Sequence, residues 1–327
     1  MSPNPSQNGK RPTVRTESTP RSAPTLRTAE RTGKRSVLPI VILAVAIALL
    51  LWFAVSRASS CSQSVEPVEE LAPAGIPTME GTYDWQNLGR SNGRFTYSLN
   101  GEVVTKFGID VSENNGEIDW PAVAADGVEF AFIRVGYRGN EEGGIHKDVC
   151  FDEYLASARA AGIPCGLYFF SQAITPEEAR EEARFAVAQL NGTSLEYPIA
   201  FDSETHPEQD LRNDNIPRGE MTSIAQAFCE EVKAAGYEAI IYGSSNDLVR
   251  YVRDDLKDYP IWYAEYGSIP TIDTGFTIWQ CYNDGTISGI KGAVDVNIDL
   301  SAVARASQAN PATSSTPTET SQEPAEQ

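Results

Sequence analysis

Histidine is nearly absent from this chain, with His146 and His206 the only two in 327 residues. Its five cysteines, Cys61, Cys150, Cys165, Cys229 and Cys281, form no Cys-x-x-Cys. Zinc takes closely spaced thiolate or imidazole ligands, so no zinc site is expected, and no other metal or cofactor. A Ser-His nucleophile pair and a glycine-rich phosphate loop are also missing, which removes two signatures of acyl transfer and nucleotide chemistry. No internal repeat is visible. Basic residues become scarce after residue 57. Residues 1–57 hold nine Lys/Arg against two Asp/Glu, whereas the rest hold 17 against 43. Nucleic acid requires a basic surface to meet its phosphates, so an acidic body excludes it as a partner.

The charge changes sign across one uncharged, almost wholly apolar run, Val37 to Val55. Its nineteen residues are about the length that crosses a bilayer. The basic, Ser/Thr/Pro-rich segment ahead of it is expected to be disordered and, being basic, to stay cytoplasmic. The expected organisation is therefore a disordered cytoplasmic arm over 1–35, a single-pass membrane anchor over 36–56 and a stalk over 57–80. A hairpin element follows over 81–105, a folded barrel over 106–303 and a disordered tail over 304–327. The body then lies outside the cell. Secretion after cleavage of a signal peptide is the alternative, although the apolar run exceeds the usual signal core of ~7–15 residues. An external compartment permits disulfides, but four body cysteines allow three pairings and the spacing selects none.

Asn92-Gly93 and Asn100-Gly101 are turn dipeptides between short β-prone runs, hence the hairpin element. From Lys106 the pattern alternates. Strands are expected over 106–112, 129–137, 163–170, 197–204 and 238–243, with helices over 119–127, 149–162, 176–192, 217–236 and 245–256. Asp119 is a plausible N-cap, and Gly162 and Gly236 are stop signals. Three strand-like runs, 259–266, 276–282 and 292–300, close the series with no room for helices between them. Strands alternating with helices imply a parallel sheet. The fold class expected is α/β, an irregular TIM-like barrel of five βα units and three bare strands.

In such barrels the C-terminal strand ends carry the chemistry. Here those positions hold Asp110, Arg134, Tyr137, Tyr168, Phe170, Asp202, Glu204, Tyr242, Trp262, Tyr263, Glu265, Trp279, Gln280 and Asp295, a set rich in carboxylates and aromatics. The segment YPIAFDSET is the most informative. An apolar strand ends in Asp202 and Glu204, which at i and i+2 share a face. Adjacent like charges raise each other's proton affinity, and a fold has no structural need for them. Glycosidases do need paired carboxylates. A two-residue step of roughly 6.5–7 Å falls between retaining and inverting spacings, so it leaves the stereochemistry open.

The segments FGIDVSENNGEIDW, FAFIRVGYRG, GIPCGLYFFSQA, YPIAFDSE, IIYGSS, IWYAEY and TIWQCYNDGTISGIKGAVDVNI resemble, in this order, the glycoside hydrolase family 25 lysozymes. The resemblance runs from about Lys106 to Leu300. It implies a (β/α)5(β)3 barrel and an N-acetylmuramidase cutting the β-1,4 bond from N-acetylmuramic acid to N-acetylglucosamine in peptidoglycan. It implies Glu204 as general acid, Asp202 on the substrate's acetamido group, and Asp110 and Asp295 shaping the pocket. Tyr168, Phe170, Tyr242, Trp262, Tyr263, Trp279, Gln280 and Arg134 are the expected substrate-binding residues. Two departures stand out: many members have Tyr-His-Phe at Tyr168-Phe169-Phe170, and Trp-Gln-Tyr at Trp279-Gln280-Cys281. The expectation is a membrane-anchored extracellular hydrolase of the bacterial wall. Its rivals are a catalytically silent wall-binding protein and a chitinase-like hydrolase.

Overall fold

The computed structural model describes residues 77–79, 81, 83–206, 208 and 210–309. The arm, the apolar run Val37–Val55, Cys61, most of the stalk and residues 310–327 lie outside the described residues. Among the described residues, no helix is long and apolar enough to cross a membrane.

Eight strands close into a barrel in the order β4 (Lys106–Val111), β5 (Phe130–Arg138), β7 (Cys165–Phe170), β8 (Ile199–Asp202), β9 (Ala239–Ser244), β10 (Ile261–Ala264), β11 (Ile278–Gly285) and β12 (Val294–Asp299). Neighbours from β4 through β11 run parallel, and β12 is antiparallel to both β11 and β4. A short strand absent from the expected set, β6 (Ile145–Lys147), pairs antiparallel with the far end of β5. Helices Trp120–Ala125, Phe151–Ala160, Pro176–Gln189 and Arg218–Ala234 follow the first four barrel strands. Asp119 caps the first, its carboxylate accepting the Ala122 N–H at 3.2 Å. The helix expected over 245–256 is shorter. It is a single turn, Ser245–Leu248, followed by a separate 3-10 turn at Arg253–Leu256.

Two apolar layers hold the barrel. Inside it lie Phe130, Phe132, Tyr197, Ile240, Trp262 and Ile278. Phe130 stacks on Tyr197 and Phe132 on Trp262, with ring centroids 4.6 and 4.3 Å apart. Room for these rings comes from Gly108, where a Cβ would fall 2.4 Å from the Phe130 ring. Outside, the helices cover β4 to β9, and no helix separates β10, β11 and β12.

That bare side is covered by a three-stranded antiparallel meander, β1 (Leu88–Ser91), β2 (Arg94–Leu99) and β3 (Glu102–Val103). Its two turns are the Asn-Gly pairs, all four residues at positive φ, as primed hairpin turns require. Phe95 lies against Trp279 and stacks on Tyr282, at 4.7 and 5.4 Å between centroids. Tyr83 packs on Phe276 and donates its hydroxyl to the Phe276 carbonyl.

The tail boundary also needs correcting. A helix runs Ser301–Ala309, six residues past the boundary placed after 303, because Val303 and Ala304 bury against the barrel. Cys150, Cys165, Cys229 and Cys281 are free thiols. Burial pushes Cys165 and Cys281 up to about 12, so these two are inert packing residues rather than nucleophiles.

Candidate active site

Strand β8 ends at Asp202, two residues before the end expected for it. The inward-outward alternation nevertheless continues. Ser203 turns outward and its hydroxyl accepts a bond from Asn213 at 3.0 Å, while Glu204 turns back to line the same cavity as Asp202. Each of the two carboxyls perturbs the other. Among the described residues no N–H or O–H donor reaches the buried Asp202 Oδ1, so this carboxylate oxygen is left open to a donor on a ligand.

Asp110, on β4, is fixed differently. Its Oδ2 accepts the side-chain amides of Gln280 and Asn297, each at 2.8 Å. Both amides are oriented from behind. Trp262 Nε1 donates to Asn297 Oδ1 at 2.7 Å, and the hydroxyls of Tyr242 and Tyr266 donate to Gln280 Oε1 at 2.8 and 2.9 Å. Every donor in this chain points toward Asp110, so its carboxylate is locked in place. Asp295 pairs with Asp110 across the β12–β4 ladder. Because β12 is antiparallel, Asp295 reaches the site from the start of its strand rather than the end.

The cavity, of about 350 Å³, is lined by Asp110, Tyr168, Asp202, Glu204, Tyr242, Trp262, Tyr266, Gln280, Asn283 and Asp295. No lining residue is cationic. All four acids are pushed upward in pKa, first by desolvation. Asp295 rises to about 6. Glu204 rises to about 7, with the charges of Asp247 and Asp295 adding to burial. Asp202 is raised further by Glu204, and Asp110 by Asp295. Titration of Asp202 and Glu204 belongs to the pair rather than to either residue.

Of the twelve residues expected at the site, eight meet here: the four acids with Tyr168, Tyr242, Trp262 and Gln280. Four do not. Trp279 faces outward under the meander, with Nε1 donating to the Glu265 carbonyl at 2.7 Å. Tyr263 belongs to the same outer layer, packing on Phe276 and donating to Glu265. Phe170 is half-buried beyond the lining. Arg134 is held by Asp148 at 2.8 Å and Glu113 at 3.1 Å. Residues missed by strand-end reading are Tyr266, just after β10, Asn283, near the end of β11, and Asn297, two residues along β12 from Asp295. The pairing of Trp262 with Tyr263, and of Trp279 with Gln280, carried its own warning, since neighbours in a strand face opposite ways.

Paired carboxylates at one strand end, a third held by two amides, and aromatic walls make a glycoside hydrolase site. The particular family follows from comparison: the profile described as "Glycosyl hydrolases family 25" matches residues 109–290, and the chain belongs to that family. It is 28% identical over 191 residues to an autolytic lysozyme of Clostridium acetobutylicum, covering 58% of this chain and 54% of that one. It is 26% identical over 278 residues to lysozyme M1 of Streptomyces globisporus, covering 82% and 92%. The chain thus spans about half the length of the first relative and nearly all of the second. Among solved structures, a family 25 glycosyl hydrolase from Bacillus anthracis shares the fold at a TM-score of 0.52 and 22% identity, covering 64% of this chain and 94% of that one.

Proposed function

We propose that this protein is a muramidase that hydrolyses the β-1,4 bond between N-acetylmuramic acid and N-acetylglucosamine in peptidoglycan, with Glu204 as general acid. The observation that carries this reading is the gathering of four buried acids, Asp202 and Glu204 among them, in one cavity whose lining holds no cation. The lysozyme relatives supply the substrate class.

Asp202 and Glu204 line one wall of the cavity as neighbours at i and i+2. They therefore act from one side of the sugar. A 2-acetamido group entering the cavity supplies the donor that Asp202 Oδ1 lacks, its N–H bonding the carboxylate, and Glu204 keeps its proton. Glu204 then protonates the leaving oxygen as the acetamido oxygen attacks the anomeric carbon and the glycosidic C–O bond breaks. Water next attacks the same carbon from the vacated side, giving its proton to the Glu204 carboxylate while the acetamido group re-forms. Two displacements at one carbon retain the configuration. Asp110 and Asp295 keep the site negative as positive charge develops on the ring.

Mass spectrometry of digested peptidoglycan tests this directly. Fragments with N-acetylmuramic acid at the new reducing end support it. N-acetylglucosamine at that end, or faster cleavage of chitin oligomers, points to the chitinase-like alternative, and no fragments at all to a wall-binding protein. An inverted first-formed anomer by proton NMR would remove the acetamido step. The proposed setting is the outer face of a bacterial membrane, supported by the basic arm and the apolar run Val37–Val55. A mature protein that begins after Val55 would replace anchoring with secretion.

A further inference from the structure

A fifth acid stands behind the site. Asp247 belongs to the single helical turn Ser245–Leu248 after β9, is buried, and does not line the cavity. Its Oδ1 accepts the main-chain N–H of Thr205 at 2.7 Å and the Thr205 hydroxyl at 2.9 Å. Its Oδ2 accepts the N–H and hydroxyl of Ser244 at 2.9 and 2.6 Å. Close approach to β9 is possible because position 243 is glycine, where a Cβ would fall 2.9 Å from the Asp247 Cβ. All four donors are neutral. Thr205 is the residue after Glu204, in a segment without regular structure.

We propose that Asp247 is the positioning residue for Glu204: it ties the acid's loop to β9 through Thr205 and places a buried charge, bonded only to neutral donors, behind the acid. This rests on Glu204 being the acid. Asp247 Oδ2 closes the capping box of its own turn by accepting the Ser244 N–H, which accounts for one oxygen only. The tether is the work of the other, Oδ1. Loop residues otherwise position catalytic groups less sharply than strands do, and Glu204 sits just past the end of its strand.

The groups facing Glu204 come from every wall: Asp202 on β8, Asp110 on β4, Asp295 on β12, Tyr242 on β9, Tyr266 after β10, and Asp247. The cation that braces the same loop, Arg250, directs its guanidinium to the carbonyls of Ser203 and Asn213. Among the described residues, Asp247 makes no salt bridge within 4 Å. Its field thus reinforces that of the other acids and favours the protonated form of Glu204.

Two kinds of variant separate charge from tether. Asp247→Asn removes the charge and keeps one acceptor; Asp247→Ser does the same with less bulk, should the amide prevent folding. Either should move the alkaline limb of the pH–rate profile to lower pH, by about half a unit or more for a buried charge at this range. Thr205→Val keeps the charge and removes one bond of the tether. It should lower kcat roughly three- to ten-fold, leave KM nearly unchanged and leave the limb where it is. Carbon-13 NMR titration of the Glu204 carboxyl, assigned by difference with Glu204→Gln, reads the same shift without substrate. It therefore stands even if the protein does not cut peptidoglycan. Folded Asp247 variants with an unmoved Glu204 titration overturn the proposal, as does a Thr205→Val enzyme with unchanged kcat.

Discussion

Glu182 and Glu204 are both buried glutamates, and their surroundings are opposite. Glu182, on the helix Pro176–Gln189, accepts Arg138 Nε on one oxygen and the Ser171 hydroxyl on the other, both at 2.6 Å. Burial drives its carboxyl up to about 7, as it does Glu204, although the hydroxyl and the guanidinium oppose the rise; the two differ in their partners. Arg138 in turn bonds the carbonyls of Gly143 and Glu178. Every group there is matched, so the cluster does nothing except join helix, strand and loop. Glu204 is matched only by another acid, and its remaining neighbours add to the repulsion. A buried charge left without its counter-charge is costly. Around the cavity the fold accepts that cost, at Glu204 and at Asp247 behind it, which is how a site can be told from a strut.

The comparison is broken most readily by the two amides. Glu204→Gln should reduce turnover on peptidoglycan roughly 10²- to 10⁴-fold, the usual range for a lost general acid, with the fold intact by circular dichroism. Glu182→Gln should do the reverse. Stripping one partner from a buried ion pair costs about 3–5 kcal/mol, read as a lower midpoint in urea, while activity per folded molecule survives. If Glu182→Gln abolishes activity without unfolding, the distinction between strut and site fails.

Asp202→Asn comes next, with an expected loss of about ten- to a hundred-fold, because an amide can still touch the acetamido group but not stabilise its developing positive charge. The loss should appear in kcat. A change confined to KM would assign Asp202 to binding alone.

Acidity sharpens the comparison further. Glu204 in the folded state rises to about 7, above the ~4.3 of an unfolded glutamate. Its raised value contributes stability that is complete below the unfolded pKa and is lost as pH rises through the folded one. Wild-type activity should therefore fall as pH climbs through about 7. Glu204→Gln should be more stable than wild type at pH 8, by about 1–3 kcal/mol, with the gain shrinking toward pH 5. Equal melting temperatures at both pH values would mean that the cluster is not strained.

The βα alternation made the barrel legible, since helices began at a cap, as at Asp119 and Thr175, or ended at a glycine with positive φ, as at Gly162 and Gly236. The four acids were legible for the same reason: strand ends converge in a barrel, and acids gathered there serve no packing purpose. What escaped notice depends on pairing rather than pattern. β6 is three half-exposed residues, too short and polar to register as a strand. The reversal of β12, which brings in Asp295 from its first turn of strand, is invisible until its neighbours are known. Trp279 and Tyr263 looked like sugar platforms because nothing in their own strands announces the meander that covers them. Asp247 escaped because its partners are main-chain and hydroxyl donors on Thr205 and Ser244, which leave no charge pattern to read.

The smallest effect tests the network on Asp110. Gln280 Oε1 accepts two hydroxyls, from buried Tyr242 and from Tyr266, which is 45% exposed. Their joint role is to force the Gln280 amide to present its N–H to Asp110 rather than its oxygen. Tyr266→Phe leaves Tyr242 in place, so the amide stays oriented and only one bond of about 0.5–1.5 kcal/mol is lost. The expected outcome is a two- to ten-fold fall in kcat/KM with little change in melting temperature. Tyr242→Phe should cost more on both measures, because its hydroxyl is buried and nothing, water included, replaces it at the Gln280 oxygen. Equal effects from the two phenylalanines would show that the hydroxyls act on the substrate and not through Gln280, and the relay to Asp110 would lose its reason.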